Sequence, residues 1–162
     1  MAEEISKRDR TILELAERLE HDEIFKKHKL LDQIRAKSRG LQPRIEETGY
    51  LDEMRGWISA LDLALATELI LLRNIDNARR NAANVDKKHL KDTLSEAESS
   101  ESKAMDVLPK MFAKYTGMGV DKEAESLKTE IRRLILDYKR GSLKCFRRTR
   151  ALLNSFFQRR ID

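Results

Sequence analysis

The sequence predicts an all-α protein, a long antiparallel four-helix bundle in up-down-up-down order. Three observations predict it. Apolar residues recur at steps of three and four over four long segments. Only 6 Gly and 2 Pro punctuate 162 residues, too few for a sheet protein that must turn every ten residues or so. The breaks between segments are short, so consecutive helices return antiparallel. At 1.5 Å per residue such helices are about 45–54 Å long. A chain of this length fits a single domain over residues 1–162, with residues 128–162 as a basic C-terminal helix.

The first segment covers residues 3–38. Ile5, Ile12, Ala16, Leu19, Leu30 and Ile34, with Leu41 beyond, share one face. Ile24 and Phe25 leave that stripe, which predicts a break near residues 21–24. Gly40, Pro43 and Gly49 mark the connection that follows. The second segment covers residues 51–81, with a stripe of Trp57, Ile58, Leu61, Ala64, Leu65, Leu72 and Ile75. Leu63, Ile70 and Leu71 carry apolar character around its back, which predicts the most buried helix of the four. Asn84 and Asp86 then suit a tight turn and an N-cap.

In the third segment, residues 87–115, Leu90, Leu94, Ala97, Glu101, Ala104, Leu108, Met111 and Tyr115 alternate steps of four and three. That is a coiled-coil seam with one acid in it, and Pro109 predicts a kink. Gly117 and Gly119 read as a turn, with Asp121 as the next N-cap. The fourth segment, residues 122–157, buries Leu127, Ile131, Leu134, Ile135, Tyr138, Cys145, Phe146, Thr149, Leu152 and Phe156. Gly141 costs about 1 kcal/mol relative to Ala inside a helix and is its weak point. The heptad Ala124, Ile131, Tyr138, Cys145 and Leu152 is suited to a partner helix or to self-association.

Catalytic and metal motifs are absent. There is no phosphate-binding Gly loop, no Cys-x-x-Cys and no Glu-x-x-His pair. His21, His28 and His89 are scattered, and Asp86 three residues before His89 is explained by capping. The expectation is a protein with no enzymatic activity and no cofactor. The lone Cys145, on an apolar face, reads as a small core residue. One cysteine forms no internal disulfide, which fits an intracellular, cytoplasmic chain, or a nuclear one in a eukaryote. No apolar run nears the roughly 20 residues that span a bilayer.

Three acids nevertheless sit inside apolar stripes: Glu23, Glu68 and Glu101. Folding the chain about turns near residues 45 and 84 places all three at nearly one level of the bundle. Buried carboxylates repel and need protons, cations, water or a metal. Either a hydrated layer with Arg132, Arg133 or the Tyr138 hydroxyl nearby, or a carboxylate metal site, follows from this arrangement.

Charge gives the strongest functional signal. The net charge is +5, yet residues 128–160 hold 11 basic and 2 acidic side chains. On a helical wheel Arg132, Arg133, Lys139, Arg140, Lys144, Arg147, Arg148 and Arg150 gather opposite the apolar face, along about 27 Å. Like charges at such spacing cost stability unless a polyanion neutralises them, and arginine forks suit phosphate. The reading is a helical binding or assembly protein whose partner is nucleic acid or another polyanion. The alternative is a protein–protein scaffold whose partner supplies acids to this face. Residues 150–157 also resemble the sliding-clamp binding motif of DNA-replication proteins. Leu153, Phe156 and Phe157 match its spacing, with Arg150 where the motif has Gln; the resemblance implies a clamp contact if the segment is free.

Overall fold

The computed structural model of the chain describes residues 7–44, 49–81, 86–107 and 121–157. Helix α1 spans Lys7–Leu41 and runs into a 3-10 turn at Gln42–Arg44. Helices α2, α3 and α4 span Tyr50–Arg80, Lys87–Asp106 and Lys122–Phe157. The expected all-α four-helix bundle is what forms. Helix α1 packs on α2 and α4, and α2 packs on α3; α3 meets α4 more loosely, so α2 and α4 stand diagonally across the bundle. No described helix is long and apolar enough to cross a membrane.

The helix starts follow from local chemistry. The Asp86 carboxylate accepts from the His89 N–H at 3.0 Å, and Asp121 accepts from the Ala124 N–H at 2.8 Å, so both act as the expected N-caps. Gly49 offers no side chain to cap α2; instead the Leu51 N–H donates to Gln42 Oε1 at 2.6 Å, which ties the helix start to the 3-10 turn. Pro109, Leu108, Met111, Tyr115 and the Gly117–Gly119 turn lie outside the described residues.

Four expectations are corrected. The first helix does not break near residues 21–24. Its buried side runs Glu20, Ile24, Lys27, Leu31 and Ile34, so the stripe continues through polar residues. Phe25 faces outward, with the Lys29 ammonium 4.7 Å from its ring centre. Gly40 is not part of a connection, because burial of Leu41 holds the last turn of α1 in the core. Gly141 does not interrupt α4, which passes through it unbroken. The apolar back of α2 is not covered: Leu71 is in the core, but Leu63 is 72% and Ile70 49% exposed.

The core has two apolar halves. One gathers Leu31, Ile34, Met54, Trp57, Leu61, Leu65, Ile131, Leu134 and Tyr138, among others. There the Trp57 indole donates to the Ala104 carbonyl at 2.8 Å and fastens α2 to α3. The other half gathers Leu13, Ala16, Leu71, Ile75, Leu90, Leu94, Phe146, Leu153 and Phe156. Between them lies a layer of buried polar side chains.

Candidate functional site

The polar layer takes residues from all four helices. Lys27 of α1 is fully buried and its ammonium donates to Glu68 of α2 at 2.5 Å and to Glu101 of α3 at 2.8 Å. Ser142 of α4 donates to the other oxygen of Glu101. Thr149 of α4 donates to Glu20 of α1 at 2.7 Å, and the Cys145 thiol lies 3.5 Å from the same Glu20 oxygen. The ammonium also sits over two rings, 4.6 Å from the centre of Phe146 and 5.5 Å from that of Tyr138.

Burial governs the protons here. Desolvation pushes the Glu68 carboxyl up to about 9, against the pull of Lys27. The neighbouring Glu20 raises Glu68 further, and each of the two has an Oε2 with no hydrogen-bond partner among the described residues. Burial alone would lower Lys27, but Glu68 and Glu101 outweigh it and hold its pKa above the ordinary lysine value. Burial first, then the Glu20 charge, raises the Cys145 thiol, so it is a poor nucleophile and the small core residue expected.

Of the three acids singled out in the sequence, Glu68 and Glu101 do meet at one level. Glu23 stands aside, half-buried against α4. A Cβ at Gly141 would lie 3.1 Å from Glu23 Oε1, so the glycine makes room for that carboxylate. Burial raises the Glu23 pKa. The cation of the layer is Lys27, not Arg132 or Arg133, which are exposed. An ammonium thus stands between the two carboxylates that a metal would bridge, and no group of three or more His, Cys, Asp or Glu among the described residues is arranged to hold a metal ion. Lys27 and Glu20 escaped the sequence reading because the stripe of α1 was traced through Leu19 and Leu30, and Ile24 lies off that line; the spacing of four, three, four and three through Glu20, Ile24, Lys27, Leu31 and Ile34 was the available signal.

The cationic face is the second constellation. Arg132, Arg133, Lys139, Arg140, Lys144, Arg147, Arg148 and Arg150 are all exposed on α4. Helix α4 also carries four acids; Asp137 is exposed on the face itself, one turn from Arg133 and Arg140, and the other three are engaged toward the helix start. Glu123 meets Arg44 at 2.8 Å, Glu125 meets Lys128 at 3.2 Å, and Glu130 meets Lys37 at 2.5 Å. The Lys37 hydrogen bond holds the Glu130 carboxyl below the usual range.

Acids of the other helices do not reach the face either. Glu17 pairs with Arg79, Asp62 with Arg35, and Asp76 with Arg79 and Arg80. Glu98 of α3 pairs with Arg150 at the edge of the face. Lys139, Arg140, Lys144, Arg147 and Arg148 are in no ion pair with another described residue. Two leucines seven residues apart share the surface, Leu136 at 48% and Leu143 at 47% exposure. Beside it a groove of about 470 Å³ separates α3 from α4, with Glu98 and Ser102 on one wall and Lys139 and Arg150 on the other.

Two sequence readings of α4 change. The heptad Ala124, Ile131, Tyr138 and Cys145 is buried in the chain's own bundle, so it is not a surface for a partner. Leu153 and Phe156 of the clamp-like triplet pack in the second apolar half, and a clamp contact through them would require this end of α4 to leave the bundle. The Phe157 side chain lies outside the described residues. No family model, curated protein or solved structure matches the chain.

Proposed function

We propose that the chain is a non-enzymatic helical binding protein whose α4 face holds a polyanion, foremost nucleic acid, through its phosphates. One observation carries the reading. Five successive cations, Lys139, Arg140, Lys144, Arg147 and Arg148, stand in solvent in no ion pair with another described residue; Glu123, Glu125 and Glu130 are engaged by Arg44, Lys128 and Lys37, which leaves Asp137 as a single acid beside five cations. From Lys139 to Phe157 the helix has no Asp or Glu at all. Such a row gains free energy from a chain of phosphates by releasing condensed counterions. It has no aromatic side chains for stacking on bases, which favours backbone contact over sequence readout.

Binding to generic duplex and single-stranded nucleic acid, titrated with salt, tests this. If all five cations meet phosphates of a duplex, the logarithm of the affinity falls with that of salt at a slope of about −4 to −5. Arg140→Glu with Arg147→Glu abolishes binding while helicity stays unchanged. No binding at about 50 mM salt, where such contacts are strong, rejects the proposal.

A second reading is favoured by Leu136 and Leu143. Two exposed leucines at heptad spacing amid basic residues fit an acidic amphipathic helix of a protein partner. Leu136→Ser with Leu143→Ser discriminates: a phosphate chain binds the variant as well as the parent, whereas an acidic helix loses its apolar anchor.

A further inference from the structure

Helix α2 packs chiefly on α1 and α3, with its start tied to the 3-10 turn, and Ser59, Leu63, Ala66, Ile70 and Arg73 on its outward side are exposed. That side is not the polar surface expected of a solvent face. Ser59, Leu63, Ala66, Ile70 and Arg73 follow one another at steps of four, three, four and three, the spacing of a coiled-coil seam. Leu63 and Ile70 are the large apolar residues of the line, 72% and 49% exposed. The line continues to Gly56, where an added Cβ would meet nothing within 4 Å. Small residues alternate with large ones, so a second helix can approach closely and seat its own large residues beside Gly56, Ser59 and Ala66.

We infer that this face pairs with the same face of a second copy of the chain, α2 against α2 in antiparallel order about a two-fold axis between Ala66 and Thr67. The line is self-complementary about that point. Leu63 of one copy falls opposite Ile70 of the other, and Ile70 opposite Leu63, as an isologous interface requires. The charges agree. The exposed acids Asp52 and Glu53 in the first turn of one α2 come opposite the exposed Arg80 in the last turn of the other. A parallel pair would instead set acids against acids and Arg80 against Arg80. The heptad on α4 cannot supply the contact, because it is spent on the chain's own core.

The pairing has a consequence that rests on the function proposed above. Since α4 lies diagonally across the bundle from α2, a pair joined through α2 turns its two cationic faces outward on opposite sides. One pair then grips two polyanion segments and bridges them.

Sedimentation equilibrium of the intact chain tests the pair. At about 100 µM chain, where a complex of micromolar Kd is largely formed, the expected mass is twice 18.9 kDa. Leu63→Glu with Ile70→Glu changes only exposed side chains, so it returns the mass to 18.9 kDa with the circular dichroism of the parent. A single-chain mass for the parent, or a doubled mass for the variant, overturns the inference. Orientation is read by disulfide trapping in a Cys145→Ser background. Ser59→Cys and Arg73→Cys chains cross-link when mixed and not alone; cross-linking of Ser59→Cys chains alone means a parallel pair and overturns the antiparallel arrangement. Bridging is read by joining two labelled duplexes, which the parent does and the paired glutamate variant does not, although it still binds one. A doubled mass without any nucleic-acid binding removes the bridging and the proposed function but keeps the pair. A single-chain mass with intact binding removes the pair alone.

Discussion

Lys27 is the residue on which the bundle's interior turns. Its ammonium has no exposed surface and donates to the carboxyl groups of Glu68 and Glu101 at 2.5 and 2.8 Å. A buried pair of this kind is a poor source of net stability compared with an apolar core, yet breaking it leaves charge stranded. Lys27→Met therefore destabilises by about 3–5 kcal/mol, the cost of an orphaned buried ion, as measured by urea unfolding. Adding Glu68→Gln and Glu101→Leu recovers most of that loss, which separates charge from packing. Glu68 sets a pH dependence of its own. Its pKa rises on folding from 4.5 to about 9, so between those values the native state holds a proton that the unfolded chain gives up. The stabilising contribution is complete below 4.5 and is lost as the pH climbs through about 9. Unfolding measured at fixed temperature from pH 5 to 9 shows parent stability falling with pH. In Glu68→Gln, where an amide stands for the protonated acid, that slope is removed; an unchanged slope would mean that Glu68 is ionised at neutral pH.

Elements were legible in the sequence where their causes are local. The caps Asp86 and Asp121 need only a side chain and an N–H three residues on, and both hold. The apolar face of α4 needs only its own period, and the eight cations it excludes are all exposed. What depends on neighbours was not legible. At the height of the polar layer the inward side of α1 is Glu20, Ile24 and Lys27, and a stripe traced through apolar residues alone runs from Leu19 to Leu30 and leaves Ile24 out of line, which looks like a break. Placing Glu68 and Glu101 at one level succeeded because helices of known rise and short turns fix heights. It chose Glu23 for α1 because height does not fix rotation, and the adjoining acid at Glu20 points more squarely at the centre. Gly141 is a similar case. Helix propensity marks it as a defect, but it is the place where the Glu23 carboxylate comes against α4. The back of α2 is the converse: Leu63, Ile70 and Leu71 are alike in composition, and which are covered is decided by two flanking helices.

At the scale of the whole molecule, charge is sorted rather than balanced. Ion pairs draw the acids of α1, α2 and the start of α4 into the seams between helices, and the outer side of α4 is left with cations. Three like-charged couples at helix-neighbour spacing involve Arg140 or Arg147: Arg140 with Lys144, Lys144 with Arg147, and Arg147 with Arg150. Each costs about 0.2–0.5 kcal/mol in an exposed helix, and the attractive couple of Asp137 with Arg140 offsets one of them, so the net cost is about 0.4–1 kcal/mol at low ionic strength. In the proposed function a polyanion offsets that cost, and the cost itself is measurable without knowing the partner. Arg140→Gln with Arg147→Gln removes the three couples and leaves the other ion pairs in place, so salt effects on those pairs cancel in the comparison. In about 10 mM salt, where the screening length is some 30 Å, the variant melts higher than the parent. The shift is about 1–4 °C for a chain of this size. In about 1 M salt screening acts within 3 Å and the two melting temperatures converge. Equal melting at low salt would mean that the cations of α4 do not repel one another, and the physical ground for an outside polyanion would be gone.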